Sequence, residues 1–180
     1  AQRLVGWRSG ADLLRAGVTP CWVLASLLDR RELDDALLVD VGSGAGLPGL
    51  LLAIAAPHRP TLLVESRRKR AAFLREASRA LGLTAVQVHH GRSDAARHLG
   101  GGRTPLVLTS RAFASPADVV REASAWNATH CLIGTSVDKV RAEAVWPPAG
   151  WAPASGNSRR QEAEHHDELL EALGSGPALS

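Results

Sequence analysis

Residues 39–49 decide the fold of this chain, and they read Val39-Asp40-Val41-Gly42-Ser43-Gly44-Ala45-Gly46-Leu47-Pro48-Gly49. The apolar run over residues 36–41 is typical of a strand that is buried on both faces. The glycines that follow allow the backbone to turn sharply and to approach a ligand closely. Because a helix is predicted to begin just after them, its unpaired amide groups indicate a ligand site at this turn.

Strand-like and helix-like segments alternate along the rest of the chain. We predict strands over residues 36–41, 61–65, 84–89, 105–109 and 129–133, and helices over residues 47–56, 68–81, 93–99 and 116–125. Residues 11–30 are predicted as two helical pieces separated at Gly17-Val18-Thr19-Pro20. Two weakly marked edge strands and a helix over residues 162–173 follow. The alternation predicts an α/β fold, a Rossmann-like, doubly wound, mostly parallel sheet with helices on both faces.

The composition indicates a globular protein. With 180 residues, 45% of them hydrophobic and 22% charged, the chain can bury one sizeable core. We expect a single domain, in which residues 1–35 form an N-terminal helical segment, residues 36–161 the ligand-binding core, and residues 162–180 a C-terminal helix with a frayed tail. The longest apolar runs, such as residues 49–56, stop short of the roughly 20 residues of a membrane span, and no signal-peptide pattern opens the chain. We therefore expect a cytoplasmic monomer with no membrane partner.

The cysteines and histidines predict neither a disulfide framework nor a metal site. Cys21 and Cys131 are far apart and lack Cys or His neighbours at the spacing of metal ligands. His89 and His90 are neighbours in a predicted strand, so their side chains point to opposite faces. We therefore expect reduced thiols and no metal.

The spacing of the glycines distinguishes three kinds of nucleotide site. A dinucleotide fingerprint needs a third glycine where this chain has Leu47, and a P-loop needs a Gly-Lys-Ser/Thr sequence that does not follow. A GxGxG turn preceded by Asp40 is instead the form found in class I methyltransferases. We therefore expect S-adenosyl-L-methionine as the cofactor, with Asp40, Gly42, Gly44 and Gly46 at its site. The alternative is an ordinary tight turn between a strand and a helix.

Polar residues follow the next two strands at the edge of the sheet where ligands of open α/β folds bind. Glu65 ends the second strand, where an acidic side chain can accept hydrogen bonds from both ribose hydroxyls of a nucleoside. Its alternative role is an ion pair with Arg67 or Arg68. Ser93 and Asp94 follow the third strand, where the adenine edge would lie, and Ser93 is also a candidate helix N-cap.

Two cationic features are candidates for contacts with the substrate. Arg111 follows the fourth strand, from which methyltransferases address the substrate or the methionine end of the cofactor. Its guanidinium can bind a carboxylate or a phosphate with two hydrogen bonds, and a structural salt bridge is the alternative. The second feature is the run Arg67-Arg68-Lys69-Arg70, extended by Arg75 and Arg79. These side chains either contact RNA phosphates or form the solvated face of a surface helix.

Residues that the sequence lacks narrow the reaction. Amino-group methylation of bases commonly uses an Asn/Asp-Pro-Pro-aromatic motif after the fourth strand, and none is present. Pyrimidine C5 methylation needs a cysteine nucleophile, but Cys21 precedes the glycine turn and is predicted to be a core thiol. A ring nitrogen such as guanine N7 carries no proton to remove, so its methylation needs alignment and no general base. No catalytic acid or base is therefore assigned.

Three motifs occur in a specific order along the chain. They are residues 40–49, then Lys69-Arg70 with Phe73-Leu74-Arg75, then Ser110-Arg111-Ala112-Phe113-Ala114-Ser115. Over residues 13–134 the chain thereby resembles the RsmG (GidB) family, which comprises bacterial 16S rRNA guanine-N7 methyltransferases. The resemblance implies RNA modification with S-adenosyl-L-methionine, and 16S rRNA of the small ribosomal subunit as the partner. It also implies a cofactor site lined by Gly42, Leu47, Ser93, Asp94 and Arg111, with Glu65 at the family's acidic position.

The chain departs from the family pattern mainly outside the predicted cofactor pocket. The family's His-x-x-Asp-Ser ahead of the first strand is replaced by Trp22-Val23-Leu24-Ala25-Ser26, and its Lys-Gly after the fifth strand by Ile133-Gly134. These changes remove charged side chains from the expected substrate side. Two alternatives therefore stay open: methylation of another RNA or a small molecule, and a non-catalytic module that binds the cofactor or assists assembly.

Overall fold

The computed structural model describes residues 9–29, 31–111 and 115–134. The chain divides into two units, Ala1–Ala144 and Val145–Ser180, and every described residue belongs to the first unit. The predicted edge strands, the predicted helix over residues 162–173 and the predicted boundary between residues 161 and 162 lie outside the described residues.

The described part of the chain contains a sheet of five parallel strands. They are β1 (Leu37–Val41), β2 (Thr61–Glu65), β3 (Val86–His90), β4 (Leu106–Arg111) and β5 (His130–Gly134), in the spatial order β3-β2-β1-β4-β5. Val39 of β1 lies opposite Leu62 on one side and Leu108 on the other. Because the order reverses between β1 and β4, the crevice for a ligand is expected beyond the carboxyl ends of these two strands. All five predicted strands are confirmed, with ends shifted by at most two residues.

The helices of the described residues cover the sheet. They are α1 (Gly10–Asp12), α2 (Thr19–Leu28), α3 (Gly49–Ala55), α4 (Arg68–Ala80), α5 (Ser93–Ala96) and α6 (Pro116–Ala125), with 3₁₀ segments at Arg31–Leu33 and Arg97–Gly100. A π-helical segment, Leu13–Val18, joins α1 to α2. The predicted break at residues 17–20 is therefore a widened helical turn. Pro20 accounts for the widening, because proline lacks an N–H and its ring collides with the carbonyl four residues before it.

Apolar side chains fill both faces of the sheet. On one face, strands β1, β2 and β4 pack against Val119 and Ala123 of α6 and against Trp126, which follows that helix. On the other face, they pack against α2, α3 and α4, in clusters that include Leu24, Leu28, Leu50, Leu52 and Leu74. Burial on both faces explains why the central strands are continuous apolar runs in the sequence. The edge strand β3 is only partly buried, which explains its polar residues.

Arg59 fastens the N-terminal segment to the sheet. Its side chain is buried and donates hydrogen bonds to the carbonyl oxygens of Leu28, at 3.0 Å, and of Leu33. Burial lowers the pKa of Arg59, while the charges of Asp34, Asp29 and Asp35 oppose that effect. The segment Gly10–Leu28 has the length and the mean hydropathy, 1.3, of a membrane span. Leu24 and Leu28 of its helix α2 pack against the sheet, and 18% of the most apolar part of the segment is buried.

Candidate functional site

The glycine turn begins where β1 ends. Gly42, Gly44 and Gly46 have φ values of 73°, 58° and 88°, a region that residues with a side chain rarely adopt. The amide groups of Gly42 and Ser43 both donate to the carbonyl oxygen of Val64, at 2.9 and 3.1 Å. These bonds fold the turn over the end of β2. Leu47 and Pro48 continue the turn, so that α3 begins at Gly49, two residues later than predicted.

Asp40 lies beneath this turn with 1% of its surface exposed. Its Oδ2 accepts a hydrogen bond from the amide of Gly49 at 3.1 Å, whereas Oδ1 has no hydrogen-bond partner within the described residues. Burial raises the pKa of Asp40 to about 7, although the Gly49 amide and the nearby Ser43 hydroxyl, which donates to the Asp40 backbone carbonyl oxygen at 2.8 Å, act in the opposite direction. A Cβ atom at position 49 would overlap the Asp40 carboxylate and approach Leu63 Cδ2 to 2.6 Å. Asp40 therefore joins β1 to the start of α3, and only glycine fits opposite it.

Glu65 connects the glycine turn to the start of α4. Its carboxylate is 4% exposed; Oε2 accepts from the amide of Gly44 at 2.9 Å, and Oε1 accepts from the amide of Arg67 at 2.8 Å. Among the described side chains, neither Arg67 nor Arg68 forms an ion pair with Glu65, so the alternative role considered for this residue is wrong. Because each carboxylate oxygen can accept two hydrogen bonds, both oxygens keep one lone pair for a ligand.

Ser93 and Asp94 begin α5, beyond the end of β3. The Gly91 amide donates to the Glu65 carbonyl oxygen at 3.1 Å, which brings this turn beside the Glu65 backbone. Ser93 is not the N-cap, because Arg92 occupies that position and no side chain caps the helix. Its hydroxyl instead donates to Glu122 Oε1 at 2.5 Å. The Asp94 side chain is exposed, with Nε of Arg92 3.8 Å from its Oδ1, so it can still meet an adenine edge.

Arg111 lies at the end of β4 and reaches the N-terminal segment. Its Nη1 donates to the carbonyl oxygen of Gly17 at 2.9 Å, and Cys21 Sγ donates to the same oxygen at 3.1 Å. Burial raises the pKa of the Cys21 thiol, while the nearby Arg111 charge partly offsets the increase. Cys21 is 1% exposed, which confirms the predicted core thiol. The Ser110 hydroxyl donates to the Val41 carbonyl oxygen at 2.9 Å and ties β4 to the glycine turn. Residues 112–114 of the third motif lie outside the described residues.

The basic run lies at the N-terminus of α4. Arg67, Arg68 and Lys69 are exposed, and the first turn of the helix contains no acidic residue. Arg70 is partly buried, with Nη1 3.7 Å from the position that a Cβ atom of Gly44 would occupy. Positive side chains oppose the helix dipole at this end. The structure therefore brings one cation, Arg70, to the glycine turn and leaves the other three in solvent.

No sequence motif marks two residues near the site. Glu122 of α6 and Trp126, which follows that helix, both bond to Ser93, which is 29 positions before the first and 33 before the second. The one indication in the sequence is that Glu122, a charged residue, lies next to the buried helix positions Val119 and Ala123. Among the described residues, no group of three or more His, Cys, Asp or Glu side chains could hold a metal ion.

The strand order, the glycine turn after β1 and the acidic residue at the end of β2 define a class I methyltransferase fold. The structure of precorrin-6y C5,15-methyltransferase from Geobacter metallireducens GS-15 has the same fold, with a TM-score of 0.50 and 13% identity, over 78% of this chain and 70% of that one. The GidB family, described as rRNA small subunit methyltransferase G, matches residues 1–133. The chain belongs to this family, which confirms the resemblance found in the sequence.

Several curated relatives are named ribosomal RNA small subunit methyltransferase G. The relative from Acidothermus cellulolyticus is 32% identical over 98% of this chain and 73% of its own length. The relative from Halorhodospira halophila is 44% identical over 54% of this chain and 45% of its own length. A third, from Nitrosospira multiformis, is 44% identical over 55% and 44% of the two lengths. The chain thus spans about half the length of the latter two relatives.

Proposed function

We propose that this protein is an S-adenosyl-L-methionine-dependent methyltransferase that methylates N7 of a guanine in the 16S rRNA of the small ribosomal subunit. Membership of the GidB family supports the proposal. The observation that carries it is the bridge made by Glu65, whose buried carboxylate holds the Gly44 amide on one oxygen and the Arg67 amide on the other. This bridge fixes a glycine turn at the switch point of a parallel sheet, where nucleoside ligands bind.

The residues at the turn fit the proposed cofactor. Glu65 keeps two lone pairs, the number needed for the two ribose hydroxyls. Gly42 and Leu47 are partly exposed and would line the cofactor, Gly44 and Gly46 are buried and shape the turn, and Asp40 keeps the turn in place. Asp94 would accept from the adenine amino group, beside Ser93. Arg111, at the end of β4, would address the methionine end or the substrate.

In the proposed reaction, these residues align the methyl group of the cofactor with the guanine N7 atom. S-Adenosyl-L-methionine supplies a methyl group on a sulfonium, which is electrophilic without activation by the protein. Guanine N7 has an available lone pair and no proton, so neither a general base nor a nucleophile of the protein is needed. Cys21, the one cysteine that precedes the turn, is buried in the core and away from such a role. The chain's own contribution is to orient the two partners and to exclude water between them.

The basic run supports an RNA substrate. Arg67, Arg68 and Lys69 are exposed at the end of α4 where the helix dipole disfavours cations. A polyanion that binds them would remove this repulsion. Loss of three phosphate contacts should reduce the slope of log K against log salt concentration by about 2 to 3. We expect this change when all three are replaced by glutamine. Arg103→Gln is the control for loss of an exposed arginine elsewhere, because Arg103 precedes β4 at the amino ends of the strands, and it should leave the slope unchanged.

A direct test uses the modified nucleotide itself. Deletion of the gene should remove one N7-methylguanine from 16S rRNA, measured by mass spectrometry of nuclease fragments. The full-length protein should restore the methyl group, and purified small subunits from the deletion strain should accept label from S-adenosyl-L-methionine. An unchanged 16S rRNA would exclude this substrate. Cofactor consumption with a metabolite extract or another RNA would then favour a different methyltransferase, and absence of cofactor binding would favour a non-catalytic module. A protein of this function works in the cytoplasm. That the protein is a monomer stays a prediction.

A further inference from the structure

Four side chains form a hydrogen-bonded cluster that joins α5 to α6. Ser93 Oγ donates to Glu122 Oε1 at 2.5 Å, and Trp126 Nε1 donates to Ser93 Oγ at 2.9 Å and to Glu122 Oε1 at 3.1 Å. Arg97 Nη2 lies 3.1 and 3.2 Å from the two carboxylate oxygens of Glu122. The single proton of Ser93 therefore points to α6. A network in which each member has its partners specifies one arrangement of the elements it joins.

The surroundings of the cluster restrict its movement. Trp126 is 5% exposed and packs in the core cluster that includes Ala96 of α5. Burial raises the pKa of Glu122, but hydrogen bonds from Ser93 and Arg97, the Arg97 charge and the bond from Trp126 together outweigh it, so the pKa is lowered. The carboxylate is therefore charged near neutral pH, and hydrogen bonds to a charged acceptor are the stronger kind.

The backbone of residues 91–93 links this cluster to Glu65 and, through Glu65, to the glycine turn. The Gly44 amide donates to Glu65 Oε2 at 2.9 Å, and the Gly91 amide donates to the Glu65 carbonyl oxygen at 3.1 Å. Only Arg92 separates Gly91 from Ser93. The turn between β3 and α5 is thus fastened at both ends, to Glu65 on one side and to Glu122 on the other.

The start of α6 is fixed independently of this cluster. Ser115 and Asp118 form a capping box, in which the Ser115 hydroxyl accepts from the Asp118 amide and the Asp118 carboxylate accepts from the Ser115 amide. Val119 and Ala123 pack against the sheet. Because α6 is held at its first turn and along its buried face, Glu122 and Trp126 present a fixed surface to Ser93.

We infer that Glu122 and Trp126 are positioning residues for the adenine side of the cofactor site. They hold Ser93 and thereby place Asp94, the residue proposed to accept from the adenine amino group. The inference rests on the proposed function, because it assigns these two residues to the binding of S-adenosyl-L-methionine. The inference assigns to both residues an action through Ser93 and no cofactor contact of their own.

Calorimetric titration of the full-length protein with S-adenosyl-L-methionine tests the inference. Glu122→Ala removes the acceptor of Ser93 and should weaken binding about tenfold, the factor that corresponds to about one charge-assisted hydrogen bond. Trp126→Phe removes the N–H together with part of the buried indole ring, so the dissociation constant should rise about threefold and the free energy of unfolding should fall as well. Glu122→Gln keeps an oxygen acceptor and should fall between the wild-type protein and Glu122→Ala. Val119→Ala is the matched control: it destabilises the same helix and should leave the dissociation constant unchanged.

A second measurement separates positioning from stability. Wild-type protein should prefer S-adenosylhomocysteine to S-inosylhomocysteine, which has an oxygen where adenine has its amino group. Glu122→Ala should lose most of this preference, because Asp94 is no longer held opposite the base, and Val119→Ala should keep it. Equal binding by Glu122→Ala and the wild-type protein, or equal weakening in Val119→Ala, would overturn the inference while the proposed function stands. Absence of binding to the wild-type protein would overturn both.

Discussion

Replacement of Asp40 by asparagine should make the stability of the protein less dependent on pH. Asp40 is 1% exposed, and burial raises its pKa to about 7 in the folded protein. Asparagine has nearly the same shape, keeps an oxygen that can accept from the Gly49 amide, and carries no charge. The variant therefore removes ionisation at this position while it retains the hydrogen bond to α3.

The direction of the pH effect depends on whether the folded or the unfolded state releases the Asp40 proton at the lower pH. An unfolded aspartate ionises near pH 4, about three units below the folded carboxyl, so between about pH 4 and pH 7 the folded state binds more protons. The contribution of Asp40 to the free energy of unfolding therefore falls with rising pH across this window and stays level above it. At about 1.4 kcal/mol per unit, the full loss is about 4 kcal/mol, of which about 3 kcal/mol falls between pH 5 and pH 8.

Urea unfolding of Asp40→Asn and of the wild-type protein at pH 5 and pH 8 measures this effect. The difference in unfolding free energy between variant and wild type should favour the variant by about 3 kcal/mol more at pH 8 than at pH 5. Any packing cost of the amide cancels in this comparison, as do the titrations of groups that do not interact with Asp40. A difference that is the same at both pH values would show that Asp40 ionises in the folded protein as it does in the unfolded chain.

Three further substitutions test the site and its support. Gly46→Ala should lower the free energy of unfolding by about 2 to 3 kcal/mol, because its Cβ would lie 2.8 Å from Leu50 Cβ at a residue with positive φ. Gly82 also has a positive φ but faces open space, so Gly82→Ala should cost only about 1 kcal/mol. Equal losses in the two variants would contradict the steric argument. Glu65→Gln should weaken binding of S-adenosyl-L-methionine at least about tenfold in a titration, and unchanged affinity would remove Glu65 from the site. Arg59→Ala should cost about 2 to 3 kcal/mol in urea unfolding, since it leaves two carbonyl groups without their donor, and a loss within the error of the measurement would contradict that role.

The parts of the fold that follow from local chemistry could be predicted from the sequence. Strands β1, β2 and β4 are buried on both faces and therefore appear as short, continuous apolar runs. The glycine turn is marked because three closely spaced residues must adopt positive φ. Glu65 is marked by its place at the end of β2, about 20 positions beyond the turn, the separation typical of nucleoside sites.

The parts that depend on distant partners could not be predicted in this way. Ser93 is a good N-cap by residue type, yet its hydroxyl bonds to Glu122 and Trp126 because the packing of α6 brings them within reach. No motif distinguishes Arg59 in the sequence, but it is buried and bonds to the carbonyl oxygens of Leu28 and Leu33, which are 31 and 26 positions earlier in the chain. The widened turn before Pro20 can be predicted only if the helix is known to continue on both sides of the proline. In each case a tertiary contact overrides the preference of the residue.

The difference between buried and exposed positions also explains why the structure identifies the cofactor more specifically than the substrate. Asp40 and Glu65 are almost fully buried and hold backbone amides, so a change at either position leaves a buried group without its partner. Trp22, where the family has histidine, is 53% exposed, and Ile133, where it has lysine, is partly buried against the core at the end of β5. An exposed side chain can change at little cost to the fold. We therefore expect a change of substrate to alter residues at positions such as Trp22 and in the basic run. The glycine turn, Asp40 and Glu65 should keep their residue types.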